Sequence, residues 1–214
     1  DAPPRRQIIW QPAHLVRLPP FPEASQSSIV RPQLSADGST LYFTLRNQQH
    51  DLDIYRSQLK DGVWQAPEPM PTLNSGSEDI GPALAPDGKT LYVAETPTAR
   101  LWAFDILSPG KIARHSWPSP HGGRFIAGSA TYQRFDSLAV EANGNICVAT
   151  LVNGGISVIA PDGATAHVAL PDPYTTNLCF GGPNLTTAYI TQSQSGQLLR
   201  MPWPREGLAL AYSA

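Results

Sequence analysis

The chain has 214 residues, of which 15% are charged, and a net charge of −2. That is enough for one domain with its own core. It excludes the basic surface that nucleic acid demands, and no apolar run reaches the roughly 18 residues of a membrane span. With 17 glycines and 22 prolines, the chain is suited to turns and strand edges and poorly suited to helix interiors. The N-terminal stretch "DAPPRRQIIW" lacks the apolar region of a signal peptide, so the location is left open with a cytoplasmic setting favoured.

In chain order, "QIIWQPAHLVRLPP" comes first and reads as an outermost strand with no blade before it. Four segments then share one template of apolar strand, tight polar turn and β-rich strand. They are "RPQLSADGSTLYFTL" (31–45), "GPALAPDGKTLYVAE" (81–95), "SLAVEANGNICVAT" (137–150) and "LCFGGPNLTTAYIT" (178–191). Asp37, Asp87, Asn143 and Asn184 mark the turns, at spacings of 50, 56 and 41 residues. Asp-Gly and Asn-Gly supply the positive φ of short hairpin turns. Each hairpin is followed by a third strand: "LDIYRSQL", "RLWAFDIL", "GISVIAP" and "GQLLRMPW". "VWQAPEPM" and "ATAHVALP" supply further edge strands. Short antiparallel strands recurring every 40–50 residues or so are the pattern of propeller blades. The predicted fold is therefore an all-β propeller of about four blades in a single domain, 1–214. The outer strand of the last blade is expected from residues 7–18 or 205–213. An arc that does not close would leave sheet edges open to dimerisation.

Two resemblances follow from these stretches. "LWAFDILSPGKIA", "YQRFDSLAVEANGNICVATLVNGGISVIAPDG", "TNLCFGGPNLTTAYIT" and "LLRMPWPREGLAL" resemble the senescence-marker-protein/gluconolactonase/luciferin-regenerating-enzyme family over 86–214. That resemblance implies a six-bladed propeller with an axial divalent metal, often calcium, that hydrolyses sugar lactones and related esters. "DLDIYRS" with "DGVW", and "SEDIGPALAPDGKTLY", are similar to TolB-type propeller repeats over 1–85. Those imply a binding or scaffold role and a hybrid chain, natural or engineered, joined near 86–95; the alternative is a single divergent member of one family.

The lactonase-type resemblance implies that Asp136, in "FDS", is the metal-binding aspartate and a general base. The plainer alternative is an Asp holding the mouth of its strand through backbone hydrogen bonds. Counting seven residues before each turn marker places Val30, Ile80 and Asn177 at the same register. Asn177 is the second candidate metal ligand. Val30 and Ile80 are aliphatic where oxygen ligands are expected, and calcium takes 6–8 oxygens, so any ion is expected to bind weakly. Glu78 and Asp79, just before Ile80, are candidates to supply carboxylates by a shift of one or two residues or, by the plainer reading, a solvated loop; Asp51 and Asp53 read as a hairpin turn. His121 and Arg124 are candidates for a loop over the channel mouth. Cys147 and Cys179 read as two buried thiols.

The resemblance thus implies a calcium-dependent hydrolase of small-molecule lactones, with activity weak or lost. The alternative is a non-catalytic propeller that binds a partner.

Overall fold

The computed structural model describes residues 18–19, 29–35, 37–46, 52–71, 73–74, 79–108 and 111–210; for 79–81 it describes the backbone. The first sheet holds β1 (Val30–Leu34), β2 (Thr40–Arg46) and β3 (Leu52–Lys60). Two short strands edge β3: β4 (Val63–Trp64) and β5 (Glu68–Pro69). The second holds β6 (Asp79–Leu84), β7 (Thr90–Glu95) and β8 (Arg100–Ser108). Here β9 (Lys111–Ile112) and β10 (Arg124–Gly128) both pair with β8. The third runs β11 (Arg134–Val140), β12 (Ile146–Leu151), β13 (Ile156–Ile159) and β14 (Thr165–Val168). The fourth runs β15 (Thr175–Gly181), β16 (Thr187–Gln192) and β17 (Gln197–Pro202). All pairings are antiparallel within sheets, and successive sheets stack through β1, β6, β11 and β15. This is the four-blade propeller arrangement that the repeats predict.

The turns are set by short-range chemistry. The Asp37 carboxylate accepts from the Ser39 backbone N–H at 3.0 Å, and Asp87 from Lys89 at 2.9 Å. Asn143 accepts likewise from Asn145 at 3.1 Å. Each side chain thus closes its own turn two residues on. The fourth turn departs from the pattern. Pro183–Leu185 form a single 3₁₀ turn with Asn184 and Leu185 at φ 55° and 52°. Asp51 lies outside the described residues, and Asp53 belongs to β3, opposite Leu45, rather than to a turn.

Alternation along the second strands of blades two and three builds the core. On β7, Leu91 and Val93 pack with Tyr42, Ile54 and Trp102, whereas Tyr92 and Ala94 pack with Phe135, Ile146 and Val148. On β12, Ile146 and Val148 face that second cluster, and Cys147 and Ala149 face Leu178, Ile190 and Trp203. A strand's two faces thus belong to two different inter-blade layers.

Of the two expected outer strands of the last blade, the second is corrected over its described residues, 205–210, and the first is not tested. Residues 7–17 lie outside the described residues, and 205–210 do not pair with β17. They cross to blade three, where Gly207 bridges Glu141, the Leu208 N–H donates to Val140 O (2.8 Å) and the Ala142 N–H donates to Glu206 O (2.9 Å). The cause is Glu141, a carboxylate with 0% exposure at the end of β11. It accepts from Trp203 Nε1 (2.7 Å), Asn145 Nδ2 (2.9 Å), Arg205 Nη2 (2.9 Å) and Arg205 Nε. Burial works to raise the Glu141 pKa, but the hydrogen bonds from Arg205, Trp203, Asn145 and Cys147 outweigh it and hold it below its ordinary value. The same carboxylate and burial push the Cys147 thiol far up, so this cysteine is inert.

Two outcomes are expected. Glu141→Ala strands the buried Trp203 N–H, leaves the part-exposed Arg205 to water and destabilises by about 1–3 kcal/mol in urea unfolding. Because the folded pKa is depressed, Glu141 adds stability above its unfolded value of about 4.3. That contribution disappears as pH falls through the folded value, so acid titration of Glu141→Gln has a shallower loss below about pH 4.

Candidate axial site

Each innermost strand breaks register at the same level. The breaks fall between Val30 and Gln33, Ile80 and Ala83, Phe135 and Leu138, and Thr175 and Asn177. Such irregularities bend a strand and re-aim its side chains. Asp136 lies within the break of β11, and Arg31 within that of β1. Arg31 takes a left-handed backbone, φ 54°, rare for a non-glycine. Its Nη2 donates to Asp136 Oδ1, an ion pair joining blade one to blade three. The Asp136 side chain is 13% exposed and that of Arg31 26%. Burial pushes the Asp136 carboxyl above its ordinary value, while the Arg31 charge, the Arg31 hydrogen bond and the Ser137 backbone N–H pull it back. Arg31 Nη1 and Ser137 Oγ are buried beside this pair in sequence and make no hydrogen bond among the described residues.

Asn177 is exposed and sits opposite Thr191 on β15. Its Oδ1 accepts from its neighbour's backbone, Leu178 N–H, at 2.8 Å. The structure therefore brings Asp136 together with Arg31, and Asn177 spends its carbonyl oxygen locally. Val30 is half-buried opposite Thr44, and Ile80 lies opposite Ala94 on β6. Glu78 lies outside the described residues. Asp79 is paired with Glu95 in strand β6, not in a loop.

The family resemblance implies an axial divalent metal. A calcium site needs several oxygens, chiefly carboxylates and carbonyls. Among the described residues no group of three His, Cys, Asp or Glu side chains converges on a point. Asp136 already faces a guanidinium, which repels a second cation. The described residues do not fit the metal.

Past the pair, the four inner strands enclose a cavity of about 240 Å³. Leu34, Leu84, Val140 and Phe180 line it from the four blades, and Leu208 from the C-terminal segment. That segment passes so close that a Cβ on Gly207 would lie 2.2 Å from the Phe180 Cβ. Cys179 also lines the cavity and is exposed, which corrects the reading of two buried thiols.

His121 is corrected as well. Its ring meets Trp102 edge-on, with centroids 4.4 Å apart, and lies against Phe104. Both belong to the third strand of blade two, away from the innermost strand. Burial pulls the imidazole below its ordinary pKa, against Glu95. Arg124 begins β10 and faces Asp105 at 3.9 Å. Neither lies over the channel.

Sequence reasoning missed Arg31 and the Glu141 cluster. Arg31 has no counterpart in the repeat template, where Gly81 and Ser137 hold the equivalent places. Its partner is 105 residues away.

The sequence model of the SMP-30/gluconolactonase/LRE-like region matches residues 34–194. The chain belongs to this family. The match runs through 86–95 without interruption, so one family accounts for both halves, and neither the TolB-like reading of 1–85 nor a junction finds support. Diisopropyl-fluorophosphatase of Loligo vulgaris is 31% identical over 123 residues, 55% of this chain and 36% of that protein. The 6-deoxy-6-sulfogluconolactonase of Pseudomonas putida is 28% identical over 134 residues, 61% of this chain and 44% of that protein. The matches thus span less than half of each curated relative. Among solved structures, a luciferin-regenerating enzyme superposes with a TM-score of 0.68 at 18% identity, covering 89% of this chain and 66% of that one. A calcium-binding protein, regucalcin of Agrobacterium tumefaciens, gives 0.65 at 17%, covering 85% and 62%. These likenesses concern the fold.

Since the Asn177 side chain bonds only its own strand, Asn177→Ala is expected to shift stability by less than about 1 kcal/mol in thermal melts.

Proposed function

We propose that this chain carries the Asp136 wall of a site that hydrolyses a lactone or related ester at the propeller axis. The observation that carries the reading is Asp136 itself. It is a largely buried carboxylate in a strand irregularity, held by Arg31 across the axis, in a chain of the gluconolactonase-like family. The curated relatives named above, a sulfogluconolactonase and a fluorophosphatase, support a hydrolytic reaction on a small electrophile.

Within this reading Asp136 accepts a proton from water as the water oxygen bonds to the carbonyl carbon. The Arg31 side chain, with Nη1 free of other bonds, offers an N–H to the oxygen that gains charge. The ring C–O bond then breaks, the leaving oxygen takes the proton, and a hydroxy acid results. The divalent cofactor of the family resemblance finds no donor set among the described residues, so no step passes through it. A second reading, a propeller that binds without turnover, is supported by Val30, an aliphatic residue where an oxygen ligand is expected.

Gluconolactone opening followed by acid release on a pH-stat, corrected for the spontaneous rate, tests the proposal. Asp136→Asn is expected to lose about 10²-fold or more in kcat/KM. Full activity in Asp136→Asn removes Asp136 from the reaction, and a wild-type rate equal to the spontaneous one favours the binding reading.

A further inference from the structure

We propose that the Arg31 guanidinium occupies the place of a divalent cation against Asp136, so that the axial carboxylate of this chain carries a built-in cation. The inference rests on reading Asp136 as the axial residue, and its test does not depend on turnover.

Three observations converge. Arg31 and Asp136 come from blades one and three and meet as an ion pair. Arg31 reaches it from a left-handed backbone inside a strand irregularity, a strained conformation that persists where the surroundings impose it. The residue at the expected ligand register in blade one, Val30, brings no oxygen, and the next residue brings a positive charge instead. A guanidinium is always charged and presents several N–H donors in a plane. It can neutralise a largely buried carboxylate without the ring of oxygens that calcium requires. The Nη1 atom, buried and without a bond to the described residues, leaves one donor free for an oxygen of a bound molecule.

The test uses calcium chloride alone as probe on the full chain, read by thermal melts and by titration calorimetry. Wild type is expected to show no melting shift at about 10 mM calcium. Arg31→Met uncovers the carboxylate and is expected to melt lower. Calcium should raise its melting temperature again by about 3–5 °C if the new site binds in the millimolar range. Arg31→Met/Asp136→Asn, with both charges gone, should be more stable than Arg31→Met and indifferent to calcium. Arg31→Lys keeps a cation and should stay indifferent. If Arg31→Met fails to fold, the refolded double variant beside a calcium-silent Arg31→Lys supports the inference. Calcium binding by wild type that Asp136→Asn abolishes overturns it, and so does an Arg31→Met protein that is as stable as the double variant or remains silent to calcium.

Discussion

Two-sided burial of the second strands of blades two and three, β7 and β12, is the constraint from which the rest of the molecule follows. Leu91, Val93, Ile146 and Val148 cannot leave water on one face while their neighbours Tyr92, Ala94, Cys147 and Ala149 remain in it on the other. Blades two and three therefore each need a sheet on both sides. Stacking sheets about their first strands brings β1, β6, β11 and β15 to a common axis. The meeting of Arg31 and Asp136 is a by-product of that geometry, since nothing within either strand foretells it.

Two carboxylates on one strand and its following turn show how differently this scaffold treats buried charge. Glu141 is fully hidden and accepts hydrogen bonds from the side chains of Trp203, Arg205, Asn145 and Cys147. Asp136 is nearly as hidden and faces one guanidinium. Saturated with donors, Glu141 is fixed as an ion and serves architecture. Asp136 has less hydrogen bonding than its burial calls for, and burial prevails over its partner. A group held in that way keeps affinity for a proton or another ligand, the condition expected of a functional carboxylate.

The parts of the fold legible in the sequence are those written in short-range chemistry. Asp37, Asp87 and Asn143 each close a turn with a backbone N–H two residues away, so their spacing reveals the blades. The same economy explains the TolB-like impression of the first half. "PDGKTLY" is what a propeller hairpin needs, whatever its ancestry. The candidate site was legible only as to Asp136. The Arg31 side chain is one of many arginines until folding carries it to a partner 105 residues on. Glu141 likewise reads as a turn residue until Trp203 and Arg205, 62 and 64 residues later, reach it.

That last separation has a consequence for the order in which the chain matures. Glu141 belongs to a blade whose four strands are complete by Val168, yet its carboxylate cannot leave water cheaply before Trp203 and Arg205 exist to receive it. On a growing chain the third blade can pair its strands while its Glu141 turn stays hydrated. The turn dries when residues 203–208 swing back, over Phe180, through a gap that admits a glycine and no larger residue. Residues 203–208 are thus a latch that follows in sequence the blades it joins.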